Sequence, residues 1–175
     1  PILRSKALFL IGGTMGVGKT TVCQYLKYQL PRSVFLDGDW CWDADPFLVT
    51  VETRQMVLDN ICHLLNNFLH CSAYENILFG WVMHEQKIID HILSHLDLQD
   101  CTVHPISLIC DADTLHSRLQ KDIDAGLRSA DILERSTARL PLYHHLRTIQ
   151  IDTSNRTVEE IAEEICRIGK AALSD

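Results

Sequence analysis

The chain has 175 residues, of which 46% are hydrophobic and 22% are charged, and its formal net charge is −7. That length fits a single domain with a substantial core, and the acidic balance disfavours a nucleic-acid-binding protein, whose surface is usually strongly basic. No apolar stretch approaches the roughly 18 residues that span a membrane. Seven cysteines without a CxxC pair predict free thiols in a reducing compartment, so we expect a cytoplasmic protein.

Short apolar runs and helical patterns alternate along the chain. The apolar runs predict five strands, namely Ala7–Ile11, Ser33–Leu36, Asn76–Trp81, Pro105–Cys110 and Thr148–Ile151. Helical patterns cover Lys19–Leu30, Thr50–His70 and His84–Leu96, and capping boxes predict two further helix starts, at Asp131 and Thr157. This alternation predicts a parallel sheet covered on both faces, with ligands bound at the carboxyl ends of its strands.

A glycine-rich loop follows the first predicted strand and matches the pattern G-x-x-x-x-G-K-T. Its residues are Gly13, Thr14, Met15, Gly16, Val17, Gly18, Lys19 and Thr20, and Thr21 continues into the predicted helix. A strand, a glycine loop and a helix in this order form the phosphate-binding P-loop, in which backbone N–H groups and the helix dipole hold phosphate oxygens. Lys19 can contact the β- and γ-phosphates, and the Thr20 hydroxyl can ligate Mg²⁺. The loop therefore predicts a nucleoside triphosphate site. We expect ATP and Mg²⁺ as the cofactors, and GTP stays open as the donor.

Two carboxylates follow the second predicted strand, in the run Leu36-Asp37-Gly38-Asp39. At the carboxyl edge of a parallel sheet they are expected beside the phosphate loop. One could lie near Mg²⁺ and its waters, and the other could accept a proton from a substrate hydroxyl. We favour Asp37 for the metal and Asp39 for the proton. The alternative is a β-turn in which both side chains bond only the backbone.

The phosphate loop together with this Leu-Asp-Gly-Asp run resembles small-molecule kinases of the nucleoside monophosphate kinase-like superfamily, such as the adenylylsulfate, gluconate and shikimate kinases. The resemblance implies a three-layer α/β/α P-loop domain with a five-stranded parallel sheet, spanning residues 1–175 as one unit. It also implies ATP-dependent phosphorylation of a small-molecule hydroxyl. In those families the acidic pair serves acceptor binding, proton acceptance and the metal environment, which implies the same roles for Asp37 and Asp39.

An arginine-bearing segment at residues 118–139 resembles the lid of nucleotide kinases, which closes over the transferring phosphate. By this comparison the phosphate contacts come from Arg118, Arg128 and Arg135, with Arg139 as a fourth candidate. Residues 151–155 resemble the loop beside the adenine ring, which adds Thr153 to the expected nucleotide site. Without the comparison, four arginines near Gly126 fit a mobile lid that excludes water. The alternative is a solvated helix in which Asp and Glu side chains pair with the arginines.

The acceptor side departs from the nucleotide kinases, because the third predicted strand is not followed by their arginine-containing segment. Trp40, Trp42 and Trp81 instead predict an acceptor with a flat or apolar face, unless these side chains fill the core. We expect no nucleic-acid and no membrane partner. Three other functions stay open: a nucleoside monophosphate kinase, a nucleotide-binding module without turnover, and a nucleic-acid end kinase, which the charge disfavours.

Overall fold

A computed structural model describes residues 5–172 of the chain. Its strands are β1 (Lys6–Gly12), β2 (Ser33–Asp37), β3 (Asn76–Trp81), β4 (Cys101–Ile109) and β5 (Ile149–Asp152). Its α-helices are α1 (Lys19–Gln29), α2 (Val51–His70), α3 (Gln86–Ser94), α4 (Ala112–Asp124), α5 (Ile132–Arg139) and α6 (Val158–Ala171). Two 3₁₀ turns cover Gly38–Cys41 and Leu140–His145. None of the helices between residues 5 and 172 is both long enough and apolar enough to cross a bilayer.

The five strands form one sheet in the order β2-β3-β1-β4-β5, and every neighbouring pair is parallel. At its carboxyl edge, Gly12 of β1 is in register with Trp81 of β3 and Ser107 of β4. Asp37, the last residue of β2, is in register with Gly80 of β3. The phosphate loop, the acidic pair and Trp81 are therefore placed at one edge of the sheet.

The core lies on both faces of the sheet, as alternate residues of β1 show. Phe9 and Ile11 pack in a cluster with α1, α4, α5 and α6, whereas Leu8 and Leu10 pack in a second cluster with α2 and α3. All four side chains are at most 1% exposed. A central strand buried on both faces reads as a continuous apolar run rather than an alternating one. The predicted three-layer fold with a five-stranded parallel sheet is confirmed.

The strand β4 begins at Cys101, four residues before the predicted start at Pro105. A proline cannot donate a ladder hydrogen bond, so it is rare within a central strand. Here β5 pairs with β4 only from Ile106 onward. Pro105 therefore lies in the part of β4 that pairs with β1 on one side only. The missing N–H group is tolerated there, because no β5 residue lies opposite to accept its hydrogen bond.

The capping boxes had different outcomes. At α6, the Thr157 side chain accepts a hydrogen bond from the Glu160 N–H at 3.2 Å, as predicted. At α5, Asp131 makes no side-chain cap, because its carboxylate accepts a hydrogen bond from the Ser129 hydroxyl and lies near Arg135. The sequence pattern did not predict α4. Asp111 caps the N-terminus of this helix, since its carboxylate accepts a hydrogen bond from the Thr114 N–H at 2.7 Å.

Candidate active site

The phosphate loop has the backbone conformation that its glycines permit. Gly13, Gly16 and Gly18 have φ angles of 153°, 85° and 101°, a region that side chains with a Cβ rarely adopt. At Gly16 there is also no space for a side chain, since an added Cβ would lie 2.6 Å from the Leu119 side chain of α4. Gly18 is the N-cap of α1 and makes no side-chain cap. The loop thus leads into a helix N-terminus of the kind that binds anions.

A cleft of about 450 Å³ opens beside this loop at the carboxyl edge of the sheet. The predicted site residues that line it are Met15, Gly16, Val17, Gly18, Lys19, Thr20, Thr21, Asp37, Asp39, Trp81, Arg118 and Arg128. Gly13 and Thr14, the first two residues of the loop, are buried and do not line the cleft. Arg135, Trp40 and Trp42 do not line the cleft. The fold thus brings the triphosphate loop and both carboxylates together, as the sequence predicts.

Asp37 bonds the backbone, as the turn alternative describes, and also contacts Thr20, the residue expected to ligate Mg²⁺. Its Oδ2 accepts a hydrogen bond from the Thr20 hydroxyl at 3.1 Å, and its Oδ1 accepts one from the Asp39 N–H at 2.9 Å. The second contact caps the 3₁₀ turn at Gly38–Cys41. The first places a hydroxyl and a carboxylate side by side, and oxygen groups of this kind suit Mg²⁺, which keeps several waters and takes phosphate oxygens. Among residues 5–172 no group of three or more His, Cys, Asp and Glu side chains is arranged to hold a metal.

Lys19 and Asp39 have shifted pKa values. Burial lowers the pKa of Lys19 to about 8, although Asp39 and then Asp37 act to raise it. Its Nζ donates to the Thr14 carbonyl at 3.0 Å. Loss of water around Asp39, followed by the charge of Asp37, raises the pKa of the Asp39 carboxyl above its usual value, while Lys19 and Trp81 oppose the change. A carboxylate with a raised pKa is a stronger base than an ordinary aspartate, which suits a proton acceptor.

The lid arginines differ in where they point. Arg128 Nε donates to Asp122 Oδ2 at 2.9 Å, and both side chains are partly buried in the cleft wall. Arg128 is close enough to lower the pKa of Lys19 and of Asp39. Arg135, by contrast, is 59% exposed and lies 3.5 Å from Asp131, one helical turn earlier. Both arginines therefore pair with an aspartate, as the alternative describes, but Arg128 lines the cleft and Arg135 does not.

Arg118 lines the cleft and links the phosphate loop to Thr153, the residue after β5, which does not line the cleft. The Arg118 guanidinium donates to the Val17 carbonyl at 3.1 Å, to the Thr153 hydroxyl at 3.2 Å and to the Thr153 carbonyl at 3.4 Å. Thr153 is buried, at 1% exposure. In this conformation Arg118 is held by protein oxygens, and its predicted phosphate contact stays a prediction.

Two of the three tryptophans, Trp42 and Trp81, pack against the core cluster that α2 and α3 cover, as the alternative describes. Trp81 lines the cleft near Asp39, whereas Trp40 is 58% exposed and packs edge-on against Phe35. Trp42 stacks on Phe47 with 4.2 Å between ring centroids. Trp81 is therefore the tryptophan placed to meet an acceptor in the cleft.

Several residues of the site were not predicted. Lys121, Asp122 and Arg156 line the cleft, and the first two follow Arg118 at helical spacing along α4. Assigning that segment as a helix could have revealed them. Ser136 of α5 hydrogen-bonds the phosphate loop at Thr14 and Met15. No local pattern reports such a contact, because it joins residues more than 100 positions apart.

Comparisons with known proteins agree with this geometry. A shikimate kinase from Dehalococcoides mccartyi is 27% identical over 179 residues, which cover 93% of each protein. A gluconokinase structure from Sinorhizobium meliloti 1021 has a TM-score of 0.68 at 17% identity, over 97% of each chain. The structure of the shikimate kinase from Acinetobacter baumannii in complex with shikimate has a TM-score of 0.60 at 22% identity, over 96% of this chain and 94% of that one. The family model described as an AAA domain matches residues 10–139. Because that match spans more than half of the chain, the protein belongs to this AAA domain family.

Proposed function

We propose that the protein transfers the γ-phosphoryl group of ATP to a hydroxyl of a small molecule. The observation that carries this proposal is the convergence of Lys19, the Thr20–Asp37 pair and Asp39 on one cleft. A passive nucleotide-binding module has no need of a carboxylate with a raised pKa beside the phosphate site. The relatives named above are small-molecule kinases, which supports the same reaction class.

Each group has a role in the proposed transfer. The amides of the phosphate loop and the Lys19 side chain hold the β- and γ-phosphates. Thr20 would hold Mg²⁺ directly, and Asp37 would hold it through the waters bound to the metal. When bound, Mg²⁺ neutralises charge on the phosphate oxygens. The oxygen of the acceptor hydroxyl forms a bond to the γ-phosphorus while Asp39 accepts the proton of that hydroxyl. The bond between the γ-phosphorus and the bridging oxygen of the β-phosphate breaks. Arg128 stabilises charge on the transferred group.

The acceptor is proposed to present a flat or apolar face to Trp81, which lies beside Asp39 at the end of β3. A hydroxylated small molecule with a flat or apolar ring fits this feature.

The test compares three carboxylate variants in a transfer assay with radiolabelled ATP and a panel of hydroxylated metabolites, with and without anionic groups. We expect Asp39→Asn to keep MgATP affinity within about threefold and to lose most transfer, since an amide cannot take up the proton. Asp37→Asn is expected to raise the Mg²⁺ concentration needed for activity. Asp43→Asn is the matched control, because Asp43 is an exposed carboxylate of the same region and does not line the cleft.

Other outcomes identify the rival functions. Full transfer by Asp39→Asn would show that the base lies elsewhere. Transfer to nucleoside monophosphates alone would indicate a nucleotide kinase. MgATP binding without transfer to any member of the panel, and without hydrolysis, would support a binding module.

Lys19→Ala should lower any turnover by on the order of 100-fold or more, so wild-type turnover in this variant would contradict the phosphate-loop assignment.

A further inference from the structure

Ser136 of α5 is a buried hydroxyl residue that contacts the back of the phosphate loop. It is 2% exposed, and its partner Thr14 is 1% exposed. The Ser136 hydroxyl donates to the Met15 carbonyl at 2.6 Å. The Thr14 hydroxyl lies 3.0 Å from the Ser136 carbonyl, to which it donates, and 2.8 Å from the Ser136 hydroxyl. One serine thus makes contact with two consecutive residues of the loop.

The contact to the Met15 carbonyl has a geometric consequence for the next residue. In a planar trans peptide, the carbonyl of one residue and the N–H group of the following residue point to opposite sides. A donor that holds the Met15 carbonyl toward α5 therefore turns the Gly16 N–H group away from α5. Gly16 lines the cleft, so an N–H group turned away from α5 is available to a phosphate bound there.

The same rule applies to two neighbouring peptides of the loop. Lys19 Nζ holds the Thr14 carbonyl at 3.0 Å, which orients the Met15 N–H group. Arg118 holds the Val17 carbonyl at 3.1 Å, which orients the Gly18 N–H group. The loop is therefore braced by side chains of α1, α4 and α5. Lys19 and Arg118 are also expected to contact the phosphates when ATP binds, whereas Ser136 has no role in the site other than this contact with the loop.

We propose that Ser136 is a positioning residue for the triphosphate, acting by orienting the Met15–Gly16 peptide so that the Gly16 N–H group faces the phosphate oxygens. This inference rests on the proposed binding of ATP at the loop. A buried carbonyl that loses its donor tends to rotate toward another one, and in Ser136→Ala that rotation would also turn the Gly16 N–H group. Triphosphate affinity, and not only stability, should then fall.

The experiment measures MgATP and tripolyphosphate binding by calorimetry for the wild type, Ser136→Ala and Ser107→Ala. Ser107 is the matched control, because it is also a buried serine, at 1% exposure, and its hydroxyl lies 2.6 Å from the Thr148 hydroxyl, not from the loop. Removing one such hydrogen bond corresponds to about a 3- to 10-fold change in an equilibrium constant. We expect a loss of that size for both probes in Ser136→Ala and none in Ser107→Ala, although both variants unfold at a lower temperature.

A spectroscopic readout separates orientation from stability. In the wild type the Gly16 amide proton should shift downfield when MgATP binds, and in Ser136→Ala this shift should be smaller at saturation. Equal affinities and equal Gly16 shifts in the two proteins would overturn the inference and leave the proposed function intact. A wild-type protein that binds neither probe would overturn both. If Ser136→Ala does not fold, Ser136→Cys keeps the shape with a weaker donor and supports the same comparison.

Discussion

Lys19 experiences opposing influences, because burial lowers its pKa to about 8 while Asp39 and Asp37 raise it. A lysine with this pKa is only partly charged at slightly alkaline pH, although its phosphate contact requires the charged form. The folded value lies below the ordinary lysine value of 10.5. Between these two values the unfolded chain binds more protons than the folded one, so this group makes the protein more stable as the pH rises.

Affinity and stability should therefore respond to pH in opposite directions. From pH 7 to pH 9 we expect MgATP binding to weaken, because Lys19 loses its proton, while the Lys19 contribution to the free energy of unfolding increases. Calorimetry at several pH values measures the first quantity, and denaturant unfolding measures the second. The control is Lys19→Ala, in which both pH trends should flatten. Equal pH dependence of binding in the two proteins would contradict the assignment of the titrating group.

Gly38 lies against Trp81, and the contact leaves no space for a methyl group. An added Cβ would lie 2.3 Å from the Trp81 Cγ atom and 2.4 Å from Cδ1. Since the obstacle is steric, Gly38→Ala should displace the indole ring next to Asp39. We expect a loss of about 1–3 kcal/mol in stability, altered tryptophan fluorescence, and MgATP affinity within about threefold of the wild type. Unchanged emission together with unchanged stability would show that the ring is not held by this contact.

The segment predicted to act as a lid, residues 118–139, belongs to the helices α4 and α5 and their short connection, and both helices are attached to the phosphate loop. Arg118 of α4 contacts Val17, and Ser136 of α5 contacts Met15. Between them, Gly126 has a φ angle of 74°, and Leu127 is 75% exposed. Movement of the lid is therefore expected in the connection at residues 125–131, with the inner parts of both helices held in place.

The two lid arginines provide a matched pair of variants. Arg128→Ala should lower kcat for ATP turnover by at least about tenfold with a smaller change in KM, because a contact that strengthens in the transition state is lost. Arg135→Ala should change kcat by less than about threefold, since its exposed pair with Asp131 is worth little. A comparable loss of kcat in both variants would show instead that closure brings Arg135 to the phosphates.

At the scale of the whole molecule, the parts of the fold and of the site that could be predicted from the sequence are those encoded by a short local pattern. The phosphate loop, the Asp37–Asp39 pair and the alternation of strands and helices are each readable within a few residues. The helix α4 was missed because it is largely polar and buries only Leu115 and Leu119. The helix start predicted at Asp131 is confirmed, but its capping box was wrong, since the carboxylate bonds the neighbouring Ser129 instead. The Ser136 contact and the packing of Trp42 and Trp81 against the core depend on tertiary structure, which no short sequence pattern encodes.

The position of β1 at the centre of the sheet also has a consequence for how the chain folds. β1 precedes both of its neighbours, and the nearer of them, β3, begins only at Asn76, whereas β2 lies at the edge and does not touch β1. A growing chain that has reached the end of α2 therefore carries an apolar strand that has no partner to pair with. Such long-range pairing slows folding and leaves apolar surface open to chaperones or aggregation. Substitutions that weaken β3 should consequently reduce the yield of folded protein during synthesis more than the activity of the molecules that do fold.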